Sequence, residues 1–111
     1  MKIFVTSNLQ LGRPGAIKLY NRPHVDVDQM TTDLILKWNT VVKPEDTVYH
    51  LGNFAHDPKT AQDAIIRLNG TIKFITGDLD KAIIDLNERG MLTTRCSIIN
   101  HIDMVEKLNS V

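Results

Sequence analysis

The sequence predicts an α/β fold in which a mostly parallel sheet alternates with helices. Three observations carry this. Short apolar stretches rich in β-branched residues alternate with stretches of helical periodicity, in the order strand, helix, strand, helix, strand, helix, strand. The helical stretches begin near aspartate or proline and stop near proline or glycine. Each of the first three strands runs directly into a loop containing glycine and an amide or carboxylate side chain. In parallel sheets, ligands bind beyond the carboxyl ends of the strands.

Taken in order, residues 2–6 read as a short buried strand. The polar loop 7–28 is long for so small a domain, and long loops are often functional. Met30, Leu34, Ile35, Trp38 and Val41 then recur at helical spacing, with Asp28 as the expected N-cap. Pro44, Glu45 and Asp46 end that unit, and residues 47–51 form the second strand. Asp57-Pro58 starts the next helix, because aspartate caps and proline is preorganised at the first helical position. Ala61, Ala64, Ile65 and Leu68 form its buried stripe, and Asn69-Gly70 its left-handed stop. Residues 71–76 are the third strand, 81–89 a short helix stopped by Gly90, and 92–99 the fourth strand. The last ten residues continue as a helical turn or a tail.

The length of 111 residues fits one domain, residues 1–111, and no repeat or linker divides it. Thirteen basic side chains balance thirteen acidic ones, which argues against bulk nucleic acid or an anionic membrane as the main partner. No apolar run is long enough to span a bilayer, and the first residues lack the apolar core of a secretory signal. These features lead to an expectation of a cytoplasmic protein. The single cysteine, Cys96, excludes an internal disulfide and a cysteine-based zinc cluster, and is expected as a small core residue.

The three strand-end loops, 7–12, 52–55 and 77–80, resemble the motif series of the calcineurin-like metallophosphoesterases. In that family the first loop reads Asp-x-His, the second Gly-Asp, and the third Gly-Asn-His followed by an acid. The surrounding text also resembles the small bacterial and phage branch. It includes residues 1–12, Asn21-Arg22-Pro23, Trp38-Asn39, residues 42–55 and Arg67-Leu68-Asn69-Gly70. A fainter match, Ile98-Ile99-Asn100-His101, resembles the strand that ends in a metal-binding histidine. The resemblance implies one half of a two-sheet sandwich, an ancestral pair of divalent cations, and phosphoester hydrolysis.

At the positions of the family's catalytic letters this sequence differs. Asn8 and Gln10 stand where the first motif has aspartate and histidine. Asn53 stands for the aspartate that bridges the two metals, and Asp78 and Leu79 for asparagine and histidine. Asp80 keeps the last letter. The family's late Gly-His-x-His motif has no counterpart before Val111, so the expectation is a degenerate and C-terminally truncated domain. Hard divalent cations need anionic oxygen or imidazole ligands. A carboxamide supplies one neutral oxygen, and its NH₂ cannot ligate. The resemblance implies that Leu79 replaces a histidine that contacts the phosphate or protonates the leaving group, and losing a general acid alone costs about 10²–10⁴-fold in rate.

The expectation is therefore no intact catalytic site and no cofactor, with Asp78 and His101 as residual ligands for at most one weak cation. Asn8 and Asn53 also have a plainer reading as turn formers, and Asp78 and Asp80 as helix caps. His50 is expected as a half-buried strand residue, and His24 and His56 on surface loops. Arg13 and Arg22 are solvated loop residues or phosphate ligands. The expected function is that of a catalytically inactive metallophosphoesterase-like protein that binds a protein partner, or itself, through an exposed sheet edge. The cytoplasm would be bacterial, or that of the host if the protein is phage-encoded. The alternatives are a weak metal-dependent phosphoesterase and a metal-free binder of phosphates or nucleotides.

Overall fold

The computed structural model describes residues 1–13, 15–19, 21–23, 25–76 and 80–99. Strands β1 (Ile3–Thr6), β2 (Thr47–His50), β3 (Thr71–Phe74) and β4 (Cys96–Ile98) form one sheet in the order β1-β2-β3-β4. Every pairing is parallel. The helices are α1 (Gly15–Leu19), α2 (Val27–Val41), α3 (Pro58–Arg67) and α4 (Lys81–Glu88). The predicted α/β alternation with a parallel sheet is the observed architecture.

Register sorts the side chains. Phe4, Val48, Ile72 and Cys96 are aligned across the four strands, as are Thr6, His50, Phe74 and Ile98. These rows meet Ile35 and Trp38 of α2, Ala61, Ala64 and Ile65 of α3, and Ala82, Ile83 and Leu86 of α4 in one core. The three crossover helices therefore share one face, as sequential right-handed crossovers require. The other face carries Val5, Tyr49, Lys73 and Ser97 in one row, with Lys73 Nζ 5.8 Å from the Tyr49 ring centre. Among the described residues no helix is long and apolar enough to cross a membrane.

Local signals explain the element ends. Asp57 caps α3 by accepting from the Thr60 N–H at 2.8 Å, with Pro58 in the first turn. Gly90 (φ 70°) ends α4, with the Gly90 and Met91 N–H groups on the Asn87 and Leu86 carbonyls. The later strands are shorter than the ranges read from sequence, β3 stopping at Phe74 rather than 76 and β4 running only Cys96–Ile98 rather than 92–99, and three further details differ. The cap of α2 is Asp26 rather than Asp28: Asp26 accepts from the Gln29 N–H at 2.8 Å, and Gln29 accepts in return from the Val25 N–H at 2.6 Å. This is the reciprocal logic of a capping box, and it leaves Asp28 in the first turn, where the helix dipole favours an anion. The helix α3 leaves through an extended Leu68 (φ −80°, ψ 138°), so Gly70 (φ 94°) serves the entry to β3 instead. The loop 7–28 contains α1, too short to show helical periodicity.

Candidate functional site

The site lies where β1 and β2 end. Beyond the strands, the two chains stay zipped together. Leu51 N–H donates to Thr6 O, Asn8 N–H to Gly52 O, Gln10 N–H to Asn53 O, and Leu11 N–H to Phe54 O, all within 2.8–3.0 Å. This pairing needs unusual backbone. Asn8 (φ 56°), Gln10 (φ 51°) and Asn53 (φ 59°) are left-handed, as is Gly52 (φ 119°). Asparagine tolerates that region better than most side chains, so the turn-former reading of Asn8 and Asn53 holds locally.

The same geometry brings their side chains together. Asn53 Nδ2 donates to Asn8 Oδ1 at 2.7 Å, across 45 residues of sequence. Whichever way the two amides are assigned, one of the facing atoms is an NH₂, which cannot ligate a cation. Gln10 is buried, and its Oε1 accepts from Arg13 Nη1 at 2.8 Å. Arg22 turns its guanidinium onto the loop itself. Nη2 donates to Asn8 O at 2.7 Å, and Nη1 to Leu9 O at 2.8 Å with Met30 Sδ at 3.1 Å. Both arginines thus have partners within the protein. Asp78, Leu79, His101 and His24 lie outside the described residues.

The last residue of β2 is a group that sequence reading placed only half-buried. His50 is fully buried, and its ring lies edge-on to Phe54 at 5.1 Å and tilted to Phe74 at 6.0 Å. Its position in register with Val48 on the core face accounts for this. Nδ1 accepts from the Gly52 N–H at 3.3 Å, which puts the ring proton on Nε2, and Nε2 has no partner among the described residues. Burial pushes the imidazole down to about 4, against the opposing pull of Asp80. Asp80 is also buried and makes no capping hydrogen bond to α4. Its Oδ1 accepts from the Phe54 N–H at 3.0 Å instead, so it braces the second loop rather than a helix end.

The donor set at the β1–β2 ends does not fit a pair of hard divalent cations. The described groups are carboxamides bonded to one another or to arginine, and Oδ1 of the nearby Asp80 accepts from the Phe54 N–H. Among the described residues, no group of three or more His, Cys, Asp or Glu side chains is placed to hold a metal ion. Cys96 is a buried core residue whose thiol burial pushes up, away from the reactive thiolate.

No family model matches the chain. An uncharacterized protein of Methanocaldococcus jannaschii is 39% identical over 83 residues, covering 72% of this chain and 47% of that protein. The crystal structure of a protein of unknown function from Aquifex aeolicus is similar with a TM-score of 0.64 and 23% identity, covering 90% of this chain and 52% of the other. That likeness extends over the fold. The chain spans about half the length of these two proteins.

Proposed function

We propose that the chain is a metallophosphoesterase-like domain that has lost metal-dependent hydrolysis and acts by protein binding. The motif order of the resemblance supports this: all three strand-end loops carry altered letters, Asn8 and Gln10 in the first, Asn53 in the second, Asp78 and Leu79 in the third. The observation that carries the reading is the 2.7 Å hydrogen bond between Asn53 and Asn8. Two aspartates there would repel unless a cation lay between them. Two asparagines attract, and need none.

The binding surface in this reading is the β1 edge, and the occupant is a second copy of the chain. β1 is an outer strand among the described residues. Lys2 and Thr6 point their carbonyls at β2, so the alternation of a parallel ladder turns the Ile3 and Val5 backbone groups outward. Residues 3–6 carry no charge, proline or bulge, the devices that usually protect an edge. Beside the edge runs an apolar groove of about 290 Å³ lined by Phe4, Val5, Leu9, Leu34, Trp38 and Val41. A formal net charge of zero leaves two copies without mutual repulsion.

Calorimetric titration of the metal-stripped chain with Mn²⁺ tests the loss of the metal centre. No heat of binding is expected, and tight uptake of two ions per chain overturns it. Light scattering tests the edge separately. Concentration-dependent dimerisation, weakened by Val5→Lys, is expected. A monomer at the highest soluble concentration sinks that half of the proposal alone.

A further inference from the structure

We propose that Arg22 is a positioning residue of the strand-end site: its guanidinium fork, closed on the carbonyls of Asn8 and Leu9, fixes the left-handed turn that lays the Asn8 side chain against Asn53. This stands whether or not the domain descends from phosphoesterases.

The argument starts from the cost of the turn. Asn8 and Gln10 are both left-handed, two residues apart. Such residues persist only where the surroundings over-determine them. One side of the loop is held by the N–H groups of Asn8, Gln10 and Leu11, which reach Gly52, Asn53 and Phe54. The carbonyls of Asn8 and Leu9 are held by Arg22, at 2.7 and 2.8 Å. Arg22 is itself anchored twice. Its N–H donates to Ile17 O of α1 at 2.9 Å, and Nη1 lies 3.1 Å from Sδ of the fully buried Met30 in α2. One residue therefore couples α1, through its backbone N–H, to α2 and the first strand-end loop, through its side chain. Two carbonyls of successive residues require a planar fork. Lysine, a single point charge, does not reproduce it.

The test is the ¹H–¹⁵N spectrum of the full chain with Arg22→Ala and Arg22→Lys. The β3 and β4 amides should stay protected. The Asn8, Gln10 and Leu11 amides should exchange about tenfold faster or more. The Asn53 side-chain NH₂ pair should move to the position of a free amide, and lysine should not restore it. Unchanged loop exchange and an unmoved Asn53 NH₂ pair in Arg22→Ala overturn the proposal, as does full rescue by lysine. If Arg22→Ala does not fold, Asn8→Gly in that background should recover the fold, because glycine takes the left-handed turn unaided. Failure of that double variant to fold also overturns it. Titrating the wild-type chain with inorganic phosphate should leave the Arg22 side-chain signals in place. Their displacement would instead make Arg22 an anion ligand. None of these readouts depends on Mn²⁺ uptake or on dimerisation.

Discussion

The two ends of the sheet use asparagine in opposite ways. At the end where the strands begin, asparagines pin backbone. Asn39 Nδ2 donates to Arg67 O at 2.9 Å, and its Oδ1 accepts from the Asn69 N–H at 2.8 Å. Asn69 Nδ2 reaches Val42 O, and Asn69 O accepts from Trp38 Nε1, both at 3.0 Å. Asp46 completes this seam by accepting from the Lys2 and Lys43 N–H groups at 2.7 and 2.9 Å, and Arg95 donates to the Gly70 and Ile65 carbonyls. At the end where the strands stop, two asparagine side chains bond each other on left-handed backbone, and the buried His50 at the end of β2 has a ring nitrogen without a partner among the described residues. The first arrangement satisfies backbone groups that folding would otherwise strand. The second keeps strain and spare polar capacity where parallel sheets place ligands. The difference teaches that one end ties backbone to side chains, while the other turns two side chains onto each other where parallel sheets present their loops.

The largest effect should come from Gly70→Ala, at the holding end. The added Cβ would lie 2.9 Å from the backbone oxygen of Asp46 and from Val42 Cγ1, on a φ of 94°. The backbone there cannot yield as a side chain could. A loss of about 3 kcal/mol is expected, from strain and overpacking together. In a domain of this size that lowers Tm by about 15 °C. A shift of only a few degrees, read by calorimetry, would mean that the seam is loose and the contrast between the ends overdrawn.

His50 supplies the next effect, at the presenting end. Its folded-state value of about 4 lies below the ordinary 6.5, so between these values the unfolded chain takes up a proton that the folded chain refuses. Stability is therefore full above about pH 6.5 and falls as pH drops towards 4. The total is about 3 kcal/mol, from roughly 1.4 kcal/mol per pH unit. Asp46 and Asp57 are held below the usual carboxylate value of 3.8 by backbone hydrogen bonds, so their contributions fade only at lower pH. Denaturant midpoints in His50→Phe should be flat from pH 6.5 to 4 while keeping the steeper acid limb. A wild-type profile that is already flat in that window would show that the ring is not buried as a neutral group.

Much of the element framework was legible because its signals are local. The Asp57-Pro58 start and the buried stripe of α3, and the Gly90 stop of α4, are read within one turn of chain. The Asp26 cap had a signal too, the glutamine three residues on, which the nearer Asp28 obscured. The presenting end is built from pairs far apart in sequence. Asn8 meets Asn53, Phe54 meets Asp80, and Arg22 reaches back past α1 to Asn8. No periodicity encodes such contacts. Only the resemblance drew Asn8 and Asn53 to one place, and it said nothing of Arg22 as a clamp. The burial of His50 was readable from its parity with Val48, but a polar residue at a strand end suggested solvent.

The smallest effects give the sharpest comparison. Asn39→Ala leaves the Asn69 N–H and the Arg67 carbonyl without their partner, and should cost about 1–2 kcal/mol. Asn53→Ala removes one half-exposed side-chain bond and asks alanine to hold a φ of 59°, which together should cost about 1 kcal/mol. Asn53→Gly separates the two contributions, because glycine keeps the backbone and loses only the amide. Its cost should be within about 0.5 kcal/mol of zero, since water can replace a hydrogen bond at a partly exposed site. That result would leave the loop held by its backbone zipper and by Arg22, with the amide pair free to change partners. A loss in Asn53→Gly as large as that in Asn39→Ala would make the amide pair a staple like the one at the other end, and the two ends would no longer differ in kind.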